Sequence, residues 1–181
     1  MEKLQSRLEQ IKNDLAEMYW KDQNMRNSHF SSGGDQVEWD DSLDKKNTES
    51  LKLIVEEIGW PTVSLVGSEA SMQAWLLVQH ADHDPEFQVY CLGLMKKQSD
   101  GEVAKKNIAY LEDRVKVGNG EPQLYGTQFH TGKSGKLEPR PIENPKQLEE
   151  RRSQMELGTF ESYLTMMHEA YGNEDGDRES A

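Results

Sequence analysis

Two histidines and two aspartates cluster at a predicted corner between helices, in the segment Gln79-His80-Ala81-Asp82-His83-Asp84-Pro85. Because imidazole titrates near neutral pH, His80 is the best candidate for a general acid or base, with Asp82 as a partner that orients it. His80 and His83 could also share a metal ion, but their spacing departs from the HExxH motif, so we assign no metal ligands. A structural interpretation stays open, in which the histidine ends one helix and an aspartate caps the next.

A second group of polar residues follows the next predicted helix. Asp113 is a further candidate to orient His80, and Arg114 could clamp a carboxylate or a phosphate. The alternative is that Asp113 and Arg114 pair with each other and tie the helix to the chain that follows it. We therefore count Asp113 among the catalytic candidates and Arg114 among the ligand-binding ones.

The segment Gln123-Leu124-Tyr125-Gly126-Thr127-Gln128 is unusually polar for a buried strand. As a strand it would place Gln123, Tyr125 and Thr127 on one face. A glycine inside a strand permits close approach by a ligand or marks a bulge. The segment is predicted either to form a hydrogen-bonding wall of a binding site or to be an exposed hairpin.

The elements that must position these residues are mostly helices. Apolar residues recur at helical spacing in residues 1–20, in four further segments before residue 115, and in two segments after Pro145. Alternation in 114–117 and 123–131, with turn residues between them, predicts a hairpin, and 136–142 contains two prolines typical of an edge strand. The predicted fold class is mainly α (α+β), a helical domain with a small antiparallel β-hairpin or sheet inserted before the C-terminal helices.

The predicted organisation has three parts. Residues 1–45 form an amphipathic helix, ending near residue 20, and a polar loop that contains Trp39. Residues 46–171 form a single globular α+β domain, and residues 172–181 form a disordered acidic tail.

Charge and composition exclude several function classes. The 181 residues carry a net charge of −12, which repels nucleic acids and anionic membranes, and no apolar run is long enough to span a bilayer. The chain has no dinucleotide fingerprint, and the glycines of 126–134 have the wrong spacing for a phosphate-binding loop, so no cofactor is predicted. The single cysteine, Cys91, is predicted to be a buried thiol, and we expect a cytoplasmic protein.

A set of short motifs in a fixed order resembles a bacterial family known as domain of unknown function 6624. The motifs lie between residues 50 and 167 and include Gly59-Trp60-Pro61-Thr62, Ala74 to Asp82, Ala109 to Val115, Gln123 to Gln128 and Arg151-Arg152. The resemblance implies that one shared feature contains His80, Asp82, Gln88, Asp113, Arg114, Gln123, Tyr125, Gln128 and Arg152. It leaves out the N-terminal helix and the acidic tail, and it implies no particular activity.

Two functions remain open at this point. In the first, His80, Asp113, Arg114, Tyr125 and Gln128 share a polar pocket that binds a polar small molecule or a peptide segment. If the pocket is catalytic, hydrolysis or group transfer with His80 as acid or base is expected. In the second, the chain is a non-catalytic acidic interaction module with a protein partner, such as an adaptor, an inhibitor or an immunity-type protein.

Overall fold

The computed structural model describes residues 2–31, 40–133 and 136–171. Over these residues the chain forms helices α1 (Glu2–Ser31), α2 (Asp41–Ile58), α3 (Val63–Gln79), α4 (Pro85–Lys96), α5 (Lys105–Gly118), α6 (Leu148–Gln154) and α7 (Phe160–Tyr171), with strands β1 (Phe129–Thr131) and β2 (Leu137–Pro139). The two strands pair antiparallel. The mainly α fold with a small hairpin before the last helices is therefore confirmed.

The chain divides into two compact units, residues 1–107 and residues 108–181. The domain boundaries predicted from the sequence stay predictions. The part of the predicted polar loop that contains Gly33-Gly34 and Trp39, and the predicted disordered tail, concern residues outside the described ranges. None of the described helices combines the length and the apolar character that crossing a bilayer requires.

In the first unit, α1 lays a continuous stripe of side chains against α2 and α3. Ile11, Leu15 and Met18 on this stripe are buried, and so is Asp22 one turn further on. The sequence prediction ended this helix near residue 20, whereas α1 continues to Ser31. The apolar pattern stops because the next inward position holds an aspartate, while the helix itself continues with ion pairs between residues four positions apart, such as Asp22 and Arg26.

Helix α2 begins six residues before the predicted cap at Asn47. Its N-cap is Asp40, whose carboxylate accepts a hydrogen bond from the Ser42 amide at 2.9 Å. Asn47 lies inside the helix and is buried. The predicted stop at Gly59 is confirmed, and the predicted break before Ser68 appears as a kink in α3 at Gly67.

In the second unit, residues 114–117 are helical and do not form the predicted strand. Alternation over four residues is too short to distinguish a strand from a helix. The helical hydrogen bonds of α5 continue through Val115 and Val117, whose carbonyls accept from Asn119 and Gly120. The helix ends at the predicted turn, where Gly120 adopts a φ of 76°.

The predicted strand over residues 123–131 is confirmed only at its end. Phe129 to Thr131 pairs with Leu137 to Pro139 in antiparallel register. Residues 124–128 form a loop, and Gln123 makes one isolated parallel bridge with Ile142. The loop replaces a strand because the backbone amides of these residues bond to a side chain of α5, as described below.

Candidate functional site

His80 and Asp22 form the most chemically capable contact of the first unit. His80 is the C-cap residue of α3, and its backbone amide bonds to the carbonyls of Leu76 and Leu77. Its Nδ1 atom lies 2.9 Å from Oδ1 and 3.0 Å from Oδ2 of Asp22. The carboxylate has no solvent exposure, so α1 holds it in place against the end of α3.

Two further residues complete the surroundings of the Asp22 carboxylate. Arg26 donates from Nε to Asp22 at 3.0 Å and from Nη2 to Asp44 at 2.7 Å, and Gln23 donates to Asp22 at 2.8 Å. Burial by itself raises the pKa of Asp22, but the hydrogen bonds from His80 and Gln23 and the charge of Arg26 outweigh it, and the pKa is lowered. Asp22 is therefore ionised at neutral pH.

An ionised carboxylate can only accept a hydrogen bond, so it fixes the proton of a neutral His80 on Nδ1. The other nitrogen, Nε2, then presents a lone pair. Within the described residues Nε2 makes no hydrogen bond, and it is not among the buried polar atoms that lack a partner. The His80 side chain is 17% exposed to solvent, so a reactant can reach Nε2. This arrangement suits a general base or acid.

The other candidates of the helix corner hold the corner together. The Gln88 side chain is buried, and its amide nitrogen donates to the Val78 carbonyl at 3.0 Å and to Asp82 at 3.1 Å. Asp84 caps α4 and pairs with Lys52 at 2.7 Å. The carboxylate next to His80 Nδ1 is thus Asp22, a residue that sequence reasoning did not select. The assignments of Asp82 to catalysis and of Gln88 to ligand binding stay predictions.

In the second unit, the Asp113 carboxylate accepts hydrogen bonds from backbone amides. Its Oδ1 atom accepts from the amides of Leu124 at 2.6 Å and Tyr125 at 3.0 Å. Its Oδ2 atom accepts from both the amide and the hydroxyl of Thr127 at 3.0 Å. Burial raises the pKa of Asp113, although these hydrogen bonds oppose the shift. The carboxylate is fully buried and shapes the loop, which leaves it no free oxygen for a reactant.

Gln123 and Gln128 close the same loop by a reciprocal contact. Gln123 donates to the backbone carbonyls of Gln128 at 2.9 Å and Arg140 at 2.8 Å, and it accepts from the Gln128 amide at 2.8 Å. The Gln128 side chain accepts from Arg114 at 3.4 Å. The Tyr125 hydroxyl donates to Glu112 at 3.3 Å. Arg114 and Gln128 are half-buried, so they are the members of this group with surface left for a ligand.

Arg152 is buried beneath the loop. It donates to the Tyr125 carbonyl at 2.5 Å and to the Gly158 carbonyl at 2.8 Å. Its guanidinium carbon lies 5.7 Å from the Phe160 ring centre and 5.2 Å from the Tyr163 ring centre. Burial lowers the pKa of Arg152, but the group stays charged at neutral pH. Arg152 thus ties the loop, at Tyr125, to the segment that follows α6, at Gly158.

A family of unknown function, DUF6624, matches residues 9–175 of the chain. The chain belongs to this family. No curated protein and no solved structure matches it significantly. The match begins at residue 9, so the family includes most of α1, which the sequence resemblance had left out. Asp22 therefore lies inside the family's shared region together with His80.

The structure brings the predicted site residues of this family member together in two groups. His80, Asp82 and Gln88 lie at the helix corner of the first unit, and Asp113, Arg114, Gln123, Tyr125, Gln128 and Arg152 form the loop network of the second. The prediction that both groups share one pocket stays a prediction. Sequence reasoning missed Asp22, Arg26 and Asp44. The feature of the sequence that could have identified Asp22 is its position, four residues after Met18 on the buried stripe of α1.

Two other chemistries can be compared with the structure. Over the described residues, no three or more His, Cys, Asp or Glu side chains are grouped to hold a metal ion. The prediction that Cys91 is buried is confirmed, and burial raises its thiol pKa to about 12. A thiol with that pKa is not a nucleophile at neutral pH.

Proposed function

We propose that the protein is a hydrolase or group-transfer enzyme that uses His80 as its general acid and base on a polar small molecule or a peptide segment. The observation that carries the proposal is the contact between Nδ1 of His80 and the fully buried carboxylate of Asp22 at 2.9 Å. A buried carboxylate that orients an imidazole and leaves its second nitrogen open is a recurrent arrangement in acid-base catalysis.

In the proposed step, Nε2 of His80 takes a proton from water or from the attacking group of a second substrate. The imidazolium that forms lies beside the negative charge of Asp22, which stabilises it. Nε2 then returns the proton to the leaving group, so His80 is regenerated at the end of the cycle. Arg26 bridges Asp22 and Asp44 and so holds the orienting carboxylate during both transfers.

Asp113 has no part in the proposed chemistry because both of its oxygens bond to the loop of residues 124–127. Arg114 and Gln128 remain proposed ligand-binding residues, since a guanidinium and a carboxamide can hold an anionic or amide group. The net charge of −12 argues against nucleic acid as substrate. We place the activity in the bacterial cytoplasm, where a lone free thiol such as Cys91 stays reduced.

The test is a thermal-shift screen against metabolites, nucleotides and short peptides, followed by hydrolysis and transfer assays on the compounds that bind. Three variants accompany the wild type: His80→Gln, Asp22→Asn and the matched control His83→Gln. His83 lies at the same corner but is exposed, and it makes no hydrogen bond within the described part of the chain. A ligand at a hundred times its dissociation constant stabilises the fold by about 2.7 kcal/mol, which such a screen detects.

We expect turnover to fall about a hundredfold or more in His80→Gln and in Asp22→Asn, and to be unchanged in His83→Gln. Equal activity of His80→Gln and the wild type on an identified substrate would refute the role of His80. Binding without turnover of any compound would favour the second function instead.

That second function is a protein-interaction module. The observation that favours it is the exposure of Val89 and Tyr90, adjacent on α4 and 48% and 55% exposed, and of Trp20 on α1, which is 64% exposed. Exposed aromatic side chains are typical anchors of protein interfaces. Substituting Tyr90 by Ser should abolish capture of a partner while leaving any His80-dependent activity intact.

A further inference from the structure

A groove lies between α1 and α2 in the first unit. It has a volume of about 380 Å³, within the range of small-molecule sites. Its lining includes neither Asp22 nor His80. The two helices run antiparallel, with Arg7 paired to Glu57 near one end of the groove and Lys21 and Leu43 lining the other.

Asn47 in this groove has an unmet hydrogen-bonding requirement. The side chain is 5% exposed and lines the cavity. Its Nδ2 atom is buried and has no hydrogen-bond partner within the described residues. Buried polar groups in native proteins nearly always have a partner, because leaving one unpaired is costly. An acceptor oxygen that enters the groove would satisfy this group.

Lys46 adds a positive charge next to Asn47. It is exposed, lines the same groove, and makes no hydrogen bond or ion pair within the described part of the chain. Glu17 on the facing helix already pairs with Lys21. The charge of Lys46 also reaches Glu17, after the larger effect of Lys21, and helps to lower the pKa of that carboxyl. Of the other charged residues in the lining, Arg7 pairs with Glu57, and the half-buried Asp14 accepts a hydrogen bond from Gln10. Among the described residues, Lys46 is therefore the cation of the lining that is left to attract an anion.

Besides Arg7, Asp14 and Ser50, the rest of the lining consists of the apolar side chains of Met18, Leu43, Leu53 and Ile54. Met18 on α1 and Ile54 on α2 are buried, and Leu53, the residue before Ile54 on α2, is 67% exposed. Covering a leucine that is this exposed at the mouth of a cavity with apolar groups is favourable, because it removes apolar surface from water. The groove thus joins an anion-binding part to an apolar part.

We propose that this groove binds a carboxylate that carries an apolar body. The carboxylate accepts hydrogen bonds from Nδ2 of Asn47 and from the ammonium of Lys46. The apolar body lies along Met18, Leu53 and Ile54. Two sources share this chemistry, a free alkyl carboxylate and the C-terminal carboxylate of a short apolar peptide. The site is separate from His80 and does not depend on the proposed catalytic function.

The test is a titration of the full-length protein, labelled with ¹⁵N, with octanoate, with 1-octanol, and with trileucine bearing a free or an amidated C-terminus. The side-chain amide signals of Asn47 report directly on the predicted contact, and the backbone amide signals of the residues that line the groove give the affinity in every variant, including Asn47→Leu. The variants are Lys46→Gln, Asn47→Leu and the matched control Lys45→Gln, which removes the same charge from an exposed neighbour that does not line the groove. His80→Gln is included to show independence from the helix corner.

We expect saturable shifts of the Asn47 amide with octanoate or with the free-acid peptide, and the tighter of the two identifies the source. Octanol and the amidated peptide should bind at least about tenfold more weakly. Affinity should fall about threefold or more in Lys46→Gln, fall about tenfold in Asn47→Leu, and stay unchanged in Lys45→Gln and His80→Gln. No saturable shift with either carboxylate, or an equal effect of Lys46→Gln and Lys45→Gln, would overturn the proposal, and both tests remain valid if Asn47→Leu fails to fold.

Discussion

Nδ1 of His80 lies 2.9 Å from Oδ1 of Asp22, although 58 positions separate the two residues in the chain. The contact joins the buried face of α1 to the last turn of α3. It fixes one nitrogen of the imidazole and leaves the other open. It also places an ionised carboxylate in the interior. The three residues that hydrogen-bond to this carboxylate determine the free-energy cost of burying its charge.

The first prediction concerns the tautomer of His80. Because the ionised Asp22 carboxylate is an acceptor only, neutral His80 should carry its proton on Nδ1. Long-range ¹H–¹⁵N correlation spectra of the wild type should show this tautomer for His80. In Asp22→Asn, whose side-chain amide can donate to Nδ1, the Nε2-protonated form should become populated. A wild-type His80 protonated on Nε2 would contradict the proposed geometry.

The second prediction concerns the free energy of unfolding. Asp22→Ala leaves Arg26 and His80 without their shared buried carboxylate. Removing one partner of a buried charged group costs about 3–5 kcal/mol. Chemical denaturation at pH 7 measures the loss. Glu9→Gln on the same helix is the control, since it removes an exposed pair with Lys12 and should cost no more than about 0.5 kcal/mol. Equal losses in the two variants would show that the Asp22 cluster adds nothing to stability.

The third prediction concerns acid unfolding, where Asp22 and Asp113 act with opposite sign. The pKa of folded Asp22 is lowered from 3.8, so its contribution to stability is present above that value and is lost as the pH falls through the folded pKa. The pKa of folded Asp113 is raised from 3.8, so the fold binds its proton more tightly and gains stability as the pH falls toward 3.8. Asp22→Asn should therefore flatten the acid-side loss of stability.

Asp113→Asn should steepen the same acid-side loss, because it removes a contribution that grows on acidification. Urea denaturation at several values between pH 2.5 and about 6 measures both slopes. Slopes that change in the same direction in the two variants would contradict the prediction.

The fourth prediction concerns Gly126. Its φ is 70°, and a Cβ atom there would lie 2.7 Å from Cε2 of Phe160. Gly126→Ala should therefore lower the free energy of unfolding by about 2 kcal/mol or more, through both backbone strain and a clash. Gly120→Ala separates the two effects, since Gly120 has a φ of 76° and nothing within 4 Å of the same position. It should cost only about 1 kcal/mol. Equal losses of unfolding free energy in the two variants would mean that the Phe160 side chain moves away from the new Cβ atom at no measurable cost.

The family match, the helical fold class and many element ends could be read from the sequence. Asp84-Pro85 begins α4 and Gly59 ends α2 because these residues act within a few positions of themselves. The residue type of His80 alone predicts its role as a general acid or base, and that role stays a prediction. In the same way, the motif residues of the second unit could be grouped, but their contacts could not be assigned.

Only the tertiary structure decided which residues meet. The partner of His80 is on the first helix. At its position an acidic residue interrupts the apolar pattern, so the pattern does not predict that α1 continues to Ser31. Likewise, alternation predicts a strand over Gln123 to Gln128, but residues 124–128 form a loop, because Asp113 binds its amides. Local propensity and periodicity determine where helices lie, whereas the choice between backbone and side-chain hydrogen-bond partners depends on packing between distant segments.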